Sequence, residues 1–201
     1  MPHPPLSLSD LVVRRVSTVA EVELPTSIHG LRLVSGARAL LDMANPAHVQ
    51  KMKIIRQIFS LHADHIFIDL GAGSSFNVLD FFLAARKGVL VVVPEPTSVE
   101  NAYHFLKAAF FRRLKRATPR DVVRAALAQV MSDGNPAAPR SPRDLVARVA
   151  GIDPVAGAAL RREATTFHPA VLANRIDGDT HARLAEQVTN ASRSYFGTDV
   201  L

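Results

Sequence analysis

Two short apolar runs, each closed by a turn and followed by a helical pattern, limit most strongly what this chain can fold into. The first covers residues 66–70 and the second covers residues 89–93. Nearly continuous apolar runs of this length are typical of strands that are covered on both faces. Because helix-length segments follow both runs, the pattern predicts an α/β fold with a parallel, doubly wound sheet.

Helical spacing of apolar residues marks the segments around these strands. It predicts helices over residues 47–61 and 77–87, and a long helix opened by a capping box from Thr97 to Glu100. Ser9 is predicted to cap a short helix near the start of the chain. Further strands are expected at residues 31–36 and 170–174, with a helix over about residues 180–195 and a strand beginning at residue 200.

Composition excludes several classes of protein. The 201 residues include no Cys, which rules out disulfides, thiolate metal sites and a Cys nucleophile. The longest apolar stretches fall far short of the ~20 residues needed to span a bilayer. The net charge of +6 favours anionic partners only weakly. We therefore expect a cytoplasmic protein, with peripheral association at the inner face of the cell membrane as a second expectation.

The first strand ends in an acid and a glycine, Asp69 and Gly71, and this ending has three interpretations. It fits a Walker B strand, whose Asp holds the Mg²⁺ of a nucleotide. It also fits the loop of a methyltransferase that receives S-adenosylmethionine. The third interpretation is a buried turn whose Asp caps the next helix. The short motif alone leaves all three open.

The surroundings favour the first interpretation over the second. A methyltransferase usually has Gly where Ser75 stands, and an acid at the end of the next strand to hold the ribose. Glu95 could be that acid, but it follows Pro94 and therefore lies after the end of the strand, where the chain has already turned. The dinucleotide fingerprint also fails, because its last Gly would fall at Phe76. An S-adenosylmethionine-dependent methyltransferase-like domain therefore remains an alternative.

Two longer stretches carry a family resemblance. The chain reads Asp69-Leu-Gly-Ala-Gly-Ser-Ser-Phe-Asn-Val-Leu-Asp80, and later Val91-Val-Val-Pro-Glu-Pro-Thr-Ser-Val-Glu-Asn-Ala102. It resembles the MinD/ParA group of deviant Walker ATPases, and within it the MinD-like, FlhG/FleN-type (Mrp-related) proteins. The resemblance is most specific over residues 65–114, and residues 169–175 resemble the family's Val-Val-Asn-Arg strand end. It implies a P-loop NTPase fold of the SIMIBI type, with a Rossmann-like three-layer arrangement.

The resemblance also implies roles for individual residues. Asp69 corresponds to the Walker B acid that holds Mg²⁺ through water, and Gly71 to the switch glycine near the γ-phosphate. Asn174 corresponds to the residue that contacts the adenine edge, where an amide offers a donor and an acceptor together. Pro94 and Glu95 would border the nucleotide pocket. The implied cofactors are ATP and Mg²⁺.

One departure from the family limits these expectations. The chain contains no Gly-Lys-Gly-Gly-x-Gly-Lys-Ser/Thr loop, although P-loop phosphate binding depends on such backbone N–H groups and a Lys. We therefore interpret residues 1–201 as a single incomplete P-loop NTPase-like domain, with residues 115–168 as a helical insertion. This chain alone is not expected to bind ATP and Mg²⁺ or to hydrolyse ATP. An incomplete sheet also predicts self-association.

The resemblance further implies ATP hydrolysis coupled to the positioning of flagella, division or chromosome machinery in the complete protein. Family proteins form ATP-dependent homodimers and bind regulatory proteins. A second alternative is a non-catalytic interaction protein built on the same scaffold. A basic cluster in the long helix is either a solvated face or a contact for anionic membrane or DNA. Its members are Arg112, Arg113, Lys115 and Arg116.

Overall fold

The computed structural model describes residues 5–36, 48–117 and 141–175, together with residues 121, 125, 186 and 190. The chain divides into two compact units, Met1–Gly71 and Ala72–Leu201. The helix predicted over residues 180–195 lies outside the described residues except at positions 186 and 190, which are helical. The strand predicted from residue 200 lies outside them altogether.

The first unit is built from short elements around one apolar core. In chain order they are helix α1 (Leu8–Val12), a 3₁₀ helix (Val19–Val22), strand β1 (Glu23–Pro25), strand β2 (Arg32–Val34) and helix α2 (His48–Phe59). Strands β1 and β2 are antiparallel, with Glu23 opposite Val34. The strand predicted over residues 31–36 is therefore confirmed. The core consists of Leu8, Leu11, Val12, Val19, Val22, Ile54, Ile55 and Ile58.

Helix α1 has a defined cap at each end. Its N-cap is Ser7, whose Oγ accepts the Ser9 N–H (3.1 Å), while the Asp10 carboxylate accepts the Ser7 N–H (2.9 Å). The prediction that Ser9 is the cap is wrong, because the helix begins at Leu8. At the other end the N–H of Arg15 donates to the carbonyl of Asp10 (2.8 Å). Arg14, with φ of 61°, occupies the left-handed position where glycine is usual.

Helix α2 buries only part of the apolar side that its spacing predicted. Ile55 and Ile58 of that side are buried together with Ile54, but Val49 and Phe59, at the two ends of the helix, are 77% and 45% exposed. Gln57 joins α2 to the segment around the 3₁₀ helix. Its Oε1 accepts the Val19 N–H (3.1 Å), and its Nε2 donates to the Ser17 carbonyl (3.2 Å).

The strand predicted over residues 66–70 is not formed. These residues belong to neither of the two sheets that the described residues form. Phe67 is 93% exposed, so the predicted burial on both faces is also wrong. An apolar run becomes a strand only where a neighbouring strand satisfies its backbone N–H and C=O groups. That requirement depends on distant parts of a chain and cannot be read from the run itself.

The second unit contains the longer helices and a parallel strand pair. Its elements are helix α3 (Phe76–Ala84), strand β3 (Val89–Val92), helix α4 (Pro96–Ala117), helix α5 (Pro142–Ile152), helix α6 (Pro154–Thr165) and strand β4 (Ala170–Ala173). Strands β3 and β4 pair in parallel, from Val89 opposite Ala170 to Val92 opposite Ala173. The mixed α/β class is confirmed. The doubly wound, three-layer sheet remains a prediction, because the described strands form only two pairs.

The two faces of the β3–β4 sheet differ. Val92 is buried and β3 contacts α4. On the opposite face Val89, Val91 and Leu172 are 52%, 61% and 56% exposed. The prediction that the second apolar run is covered on both faces is therefore wrong for this strand.

Among the described elements of the second unit, helix α4 supplies the largest share of the buried core. Its buried residues are Ala102, Leu106, Ala109, Phe110, Phe111 and Leu114. Phe110 packs edge-on against Phe167, with ring centroids 5.4 Å apart. Helix α4 begins at Pro96 rather than at the predicted capping box. Ser98, inside that predicted box, instead accepts the Val93 N–H through its hydroxyl (3.1 Å).

Helices α5 and α6 form a tight pair inside the segment that was predicted to be a helical insertion. Ser141 caps α5 by accepting the Asp144 N–H (3.2 Å), and Asp153 caps α6 by accepting the N–H groups of Val155 and Ala156 (both 3.0 Å). Gly157 is buried against Ala150, where an added Cβ would overlap the Cα and Cβ atoms of Ala150. The two helices therefore approach more closely than larger side chains would allow.

Candidate functional site

The carboxyl ends of β3 and β4 bring three of the predicted site residues to one edge. Asn174 follows β4, and its backbone N–H donates to the Val92 carbonyl (2.8 Å). Pro94 and Glu95 follow β3 on the neighbouring strand. In open α/β sheets, ligands bind in the crevice outside the carboxyl ends of parallel strands. The structure therefore places Pro94, Glu95 and Asn174 at the edge where such a ligand would bind.

The Asn174 side chain is exposed and accepts a hydrogen bond from the backbone of the next residue. Its Oδ1 accepts the Arg175 N–H (2.9 Å), and Arg175 has a left-handed φ of 56°. This hydrogen bond fixes the amide plane while the Nδ2 donors stay on an exposed side chain. An amide oriented in this way is suited to recognising a polar ring edge.

The turn after β3 leads directly into α4. The Glu95 N–H donates to the Val93 carbonyl (2.7 Å), and the Glu95 carbonyl accepts the Val99 N–H (3.1 Å). Pro96 is the first residue of α4, where the missing N–H of a proline costs no helical hydrogen bond. The Glu95 side chain is exposed. This turn therefore positions Glu95 at the sheet edge through backbone contacts.

The other two predicted site residues, Asp69 and Gly71, lie in the first unit. Both are exposed in the unpaired segment that precedes α3. The loop continues to Gly73, whose φ of 104° strongly favours glycine. Among the described residues, no group of three or more His, Asp or Glu side chains could hold a metal ion. A single exposed carboxylate does not by itself fit Mg²⁺-ATP.

Sequence reasoning missed a buried ionic cluster between α3 and α4. Asp80 of α3 has 0% exposure and forms ion pairs with two arginines of α4. Arg112 donates from Nε to Oδ1 and from Nη2 to Oδ2 (2.8 Å), and Arg116 donates from Nη2 to Oδ1 (2.6 Å). Arg112 also lies 4.6 Å from the ring centre of Phe76. The available signal was one acid inside the apolar run of residues 78–82, with arginines four residues apart on another helix.

The predicted contact of the basic cluster with anionic membrane or DNA stays a prediction, although three of its four cations form ion pairs inside the chain. Arg112 and Arg116 are bound to Asp80, as described above. Arg113 donates from Nε to Glu163 Oε2 (2.8 Å) and from Nη2 to Thr166 Oγ1 (2.7 Å). Lys115 is exposed. Because three of the four cations hold α4 to neighbouring elements, they do not form a free basic patch.

None of the helices in the described part of the chain is long and apolar enough to cross a bilayer.

Comparisons with known proteins support a partial family relationship. The sequence matches no protein-family model. Over part of its length the chain is similar to a curated MinD/ParA-family protein, and this supports a MinD/ParA-like relationship. That relative is the antiactivator FleN of Pseudomonas aeruginosa, 31% identical over 80 residues, which cover 39% of this chain. The match spans 29% of the relative's length.

Proposed function

We propose that this chain is a MinD/ParA-like regulatory protein that acts by binding another protein and does not hydrolyse ATP by itself. The observation that carries the proposal is the 80-residue similarity to a protein named as an antiactivator. The parallel β3–β4 pair, with Asn174 beside the end of β3, is consistent with that family's architecture. The sequence has no Gly- and Lys-rich phosphate loop, which argues against hydrolysis by this chain alone.

The nucleotide-related residues keep the roles that the resemblance implies, as proposals. Asn174 would contact the adenine edge, with Pro94 and Glu95 beside it. In a complete nucleotide site, Asp69 would hold Mg²⁺ through water, and Gly71 would lie near the terminal phosphate. The position of Asn174, Pro94 and Glu95 at one sheet edge supports the first of these roles. ATP, when bound to a complete site, supplies the energy of phosphoryl transfer.

The proposal also covers the partner, the assembly and the location of the protein in the cell. We infer a contact with a regulatory protein, because the curated relative is an antiactivator. ATP-dependent homodimers and the positioning of flagella, division or chromosome machinery are family properties that we propose for the complete protein and not for this chain alone. A cytoplasmic location, with peripheral contact at the inner membrane face, belongs to the same proposal.

Isothermal titration calorimetry with Mg-ATP, Mg-ADP and S-adenosylmethionine tests the ligand part of the proposal. We expect no micromolar binding of any of the three by this chain, and no phosphate release from ATP. Micromolar binding of Mg-ATP would contradict the expectation that the chain alone lacks a working nucleotide site. Tight binding of S-adenosylmethionine would instead establish the methyltransferase alternative.

Cross-linking in the native host, followed by reconstitution from purified components, tests the regulatory part. We expect at least one regulatory protein to form a stoichiometric complex with the full chain in the purified system. An activator protein whose activity falls when the chain is added would match the role that the relative's name gives, that of an antiactivator. If no recovered protein forms a complex in purified form, the proposed function is wrong.

A further inference from the structure

Helices α5 and α6 form an open groove of about 580 Å³ along their seam. Five of its lining residues lie on α6, at spacings that place them on one face of that helix. All five are exposed. At 1.5 Å per residue, the face from Pro154 to Thr165 is about 17 Å long, or about three helical turns. We call this feature the α5–α6 groove, and it is lined by Ala150, Pro154, Ala158, Arg161, Arg162 and Thr165.

The floor of the α5–α6 groove is shallow and apolar. Ala150, Pro154 and Ala158 contribute no long side chain, and the close approach at Gly157 brings the two helix backbones together. The turn that joins the helices exposes two further apolar side chains, Ile152 at 67% and Val155 at 68%. Small residues on a groove floor let the backbone of a docked helix approach closely.

The rim of the groove is positively charged. Arg161 and Arg162 are exposed, and neither forms an ion pair within the part of the chain that the structure describes. Acids nearby in sequence are occupied elsewhere. Glu163 binds Arg113 (2.8 Å), and Asp153 caps α6. The two arginines therefore add positive charge to the rim, and no carboxylate of the described residues is paired with either of them.

We propose that the α5–α6 groove binds an acidic amphipathic helix of a partner protein, with its small apolar residues on the floor and its carboxylates on Arg161 and Arg162. The inference rests on the proposed function, because it names the surface and the partner chemistry of the regulatory contact. A helix fits better than an extended strand, since the groove is walled by helices and offers no sheet edge. Two cations beside a concave apolar floor provide too few phosphate contacts for nucleic acid.

Fluorescence anisotropy with two labelled synthetic peptides tests the groove on the full chain. One stapled helical peptide of about 14 residues carries Ala and Leu on one face and Glu at the flanking i, i+4 and i+7 positions. The second replaces each Glu with Lys. We expect the wild-type chain to bind the acidic peptide about tenfold more tightly than the basic one.

Charge reversal at the rim gives the sharpest readout. The double variant R161E/R162E should reverse the preference between the two peptides. R86E/K87E is the matched control, because it makes the same charge change at two adjacent exposed cations of the same unit. That control should keep the wild-type preference. Ala158→Phe, which fills the floor without changing charge, should weaken acidic-peptide binding about tenfold.

Several outcomes would overturn the inference. One is a wild-type chain that binds both peptides with equal affinity, and another is a control variant that reverses preference as R161E/R162E does. A third is phosphatidylglycerol vesicles or duplex DNA binding more tightly than the acidic peptide and being lost in R161E/R162E. Circular dichroism checks that each variant folds. If R161E/R162E does not fold, the peptide affinity of Ala158→Phe still tests the inference.

The same variants separate this inference from the proposed function. A regulatory protein that binds wild type, R161E/R162E and Ala158→Phe equally would contradict the proposed role of the α5–α6 groove and leave the proposed function intact. A chain that binds the acidic peptide but forms no complex with any recovered protein would overturn the proposed function and support the groove.

Discussion

At Asp80 the second unit places a carboxylate with 0% exposure between the guanidinium groups of Arg112 and Arg116. Removing a carboxylate from water is costly, and close hydrogen-bonded cations offset that cost. Arg112 and Arg116 retain 21% and 36% exposure, so their own desolvation is partial. The cluster therefore fixes where α3 meets α4 and uses cations that the sequence alone suggested were free.

Replacing Asp80 with Asn should lower the free energy of unfolding by about 3 kcal/mol, because two cations lose their buried counter-charge. Urea unfolding of the full chain measures the change. Asp144→Asn is the control, since Asp144 pairs with Arg148 at 3.8 Å and both side chains are at least 40% exposed. That variant should cost less than about 1 kcal/mol. Equal effects of the two substitutions would show that the Asp80 cluster is not stabilising.

Residue-level chemistry was only partly predictable from the sequence. The resemblance predicted that Asn174 and Glu95 border one pocket, and the structure brings both to one sheet edge, because Asn174 directly follows β4 and Glu95 lies in the turn after β3. The pairs of Asp80 join residues 32 and 36 positions apart, a separation that no local pattern encodes. The roles assigned to Asp69 and Gly71 came from resemblance and remain predictions.

At the scale of elements, two capping boxes in the first unit respond to acid. The backbone hydrogen bond from Ser7 is the main cause that lowers the pKa of Asp10 below its ordinary value of 3.8. The side-chain hydrogen bond from Thr18 lowers the pKa of Glu21 below its ordinary value of 4.5. Because the folded pKa values lie below the unfolded ones, this stabilisation is complete above the unfolded values. It is lost as the pH falls through the lowered folded values.

When the pH falls from about 6 to about 3, the melting temperature of the double variant Asp10→Asn with Glu21→Gln should therefore decrease less than that of the wild type. Differential scanning calorimetry of the full chain at both pH values measures the difference. Asp64→Asn with Asp69→Asn removes two exposed carboxylates of the unpaired segment between α2 and α3, and it should follow wild type. If the melting temperature of all three proteins decreases by the same amount, the two capping boxes do not cause the loss of stability in acid.

Two helical glycines of the α5–α6 pair should respond oppositely to alanine. At Gly157 the new methyl would overlap Ala150, which forces the helices apart and costs about 1–3 kcal/mol. That cost exceeds the gain of about 1 kcal/mol in helix propensity. At Gly151 nothing lies within 4 Å of the added Cβ, so Gly151→Ala should stabilise the chain by about 0.5 kcal/mol. Urea unfolding measures both, and a shift of both variants in one direction would contradict the packing argument.

Elements were predicted best where the signal is local. Helices α2, α3 and α4 lie within a few residues of their predicted bounds, because a 3.6-residue apolar period is a property of the segment itself. Strands β3 and β4 were also located. Which of their faces is buried was not predicted correctly, because burial depends on elements that are distant in the sequence. The same reason explains the wrong strand at residues 66–70.

At the scale of the whole molecule, the open face of the β3–β4 sheet predicts self-association. Parallel sheets are normally covered on both faces, yet Val89 and Val91 are more than half exposed. We expect sedimentation velocity to show concentration-dependent association of the full chain, which V89T/V91T should reduce. Val155→Thr changes one exposed valine away from the sheet and should leave association unchanged. A monodisperse monomer at every concentration would contradict the prediction.

Helix α4 connects most of the second unit, and this has a consequence for how the unit unfolds. It binds α3 through Asp80, α6 through the Arg113–Glu163 pair, and the end of β3 through Ser98. Neither α3 nor α6 can separate from α4 while these links are kept, because each link ends on α4. Slow amide hydrogen exchange should therefore be shared across α3, α4 and α6, and these helices should lose protection together in a single cooperative event.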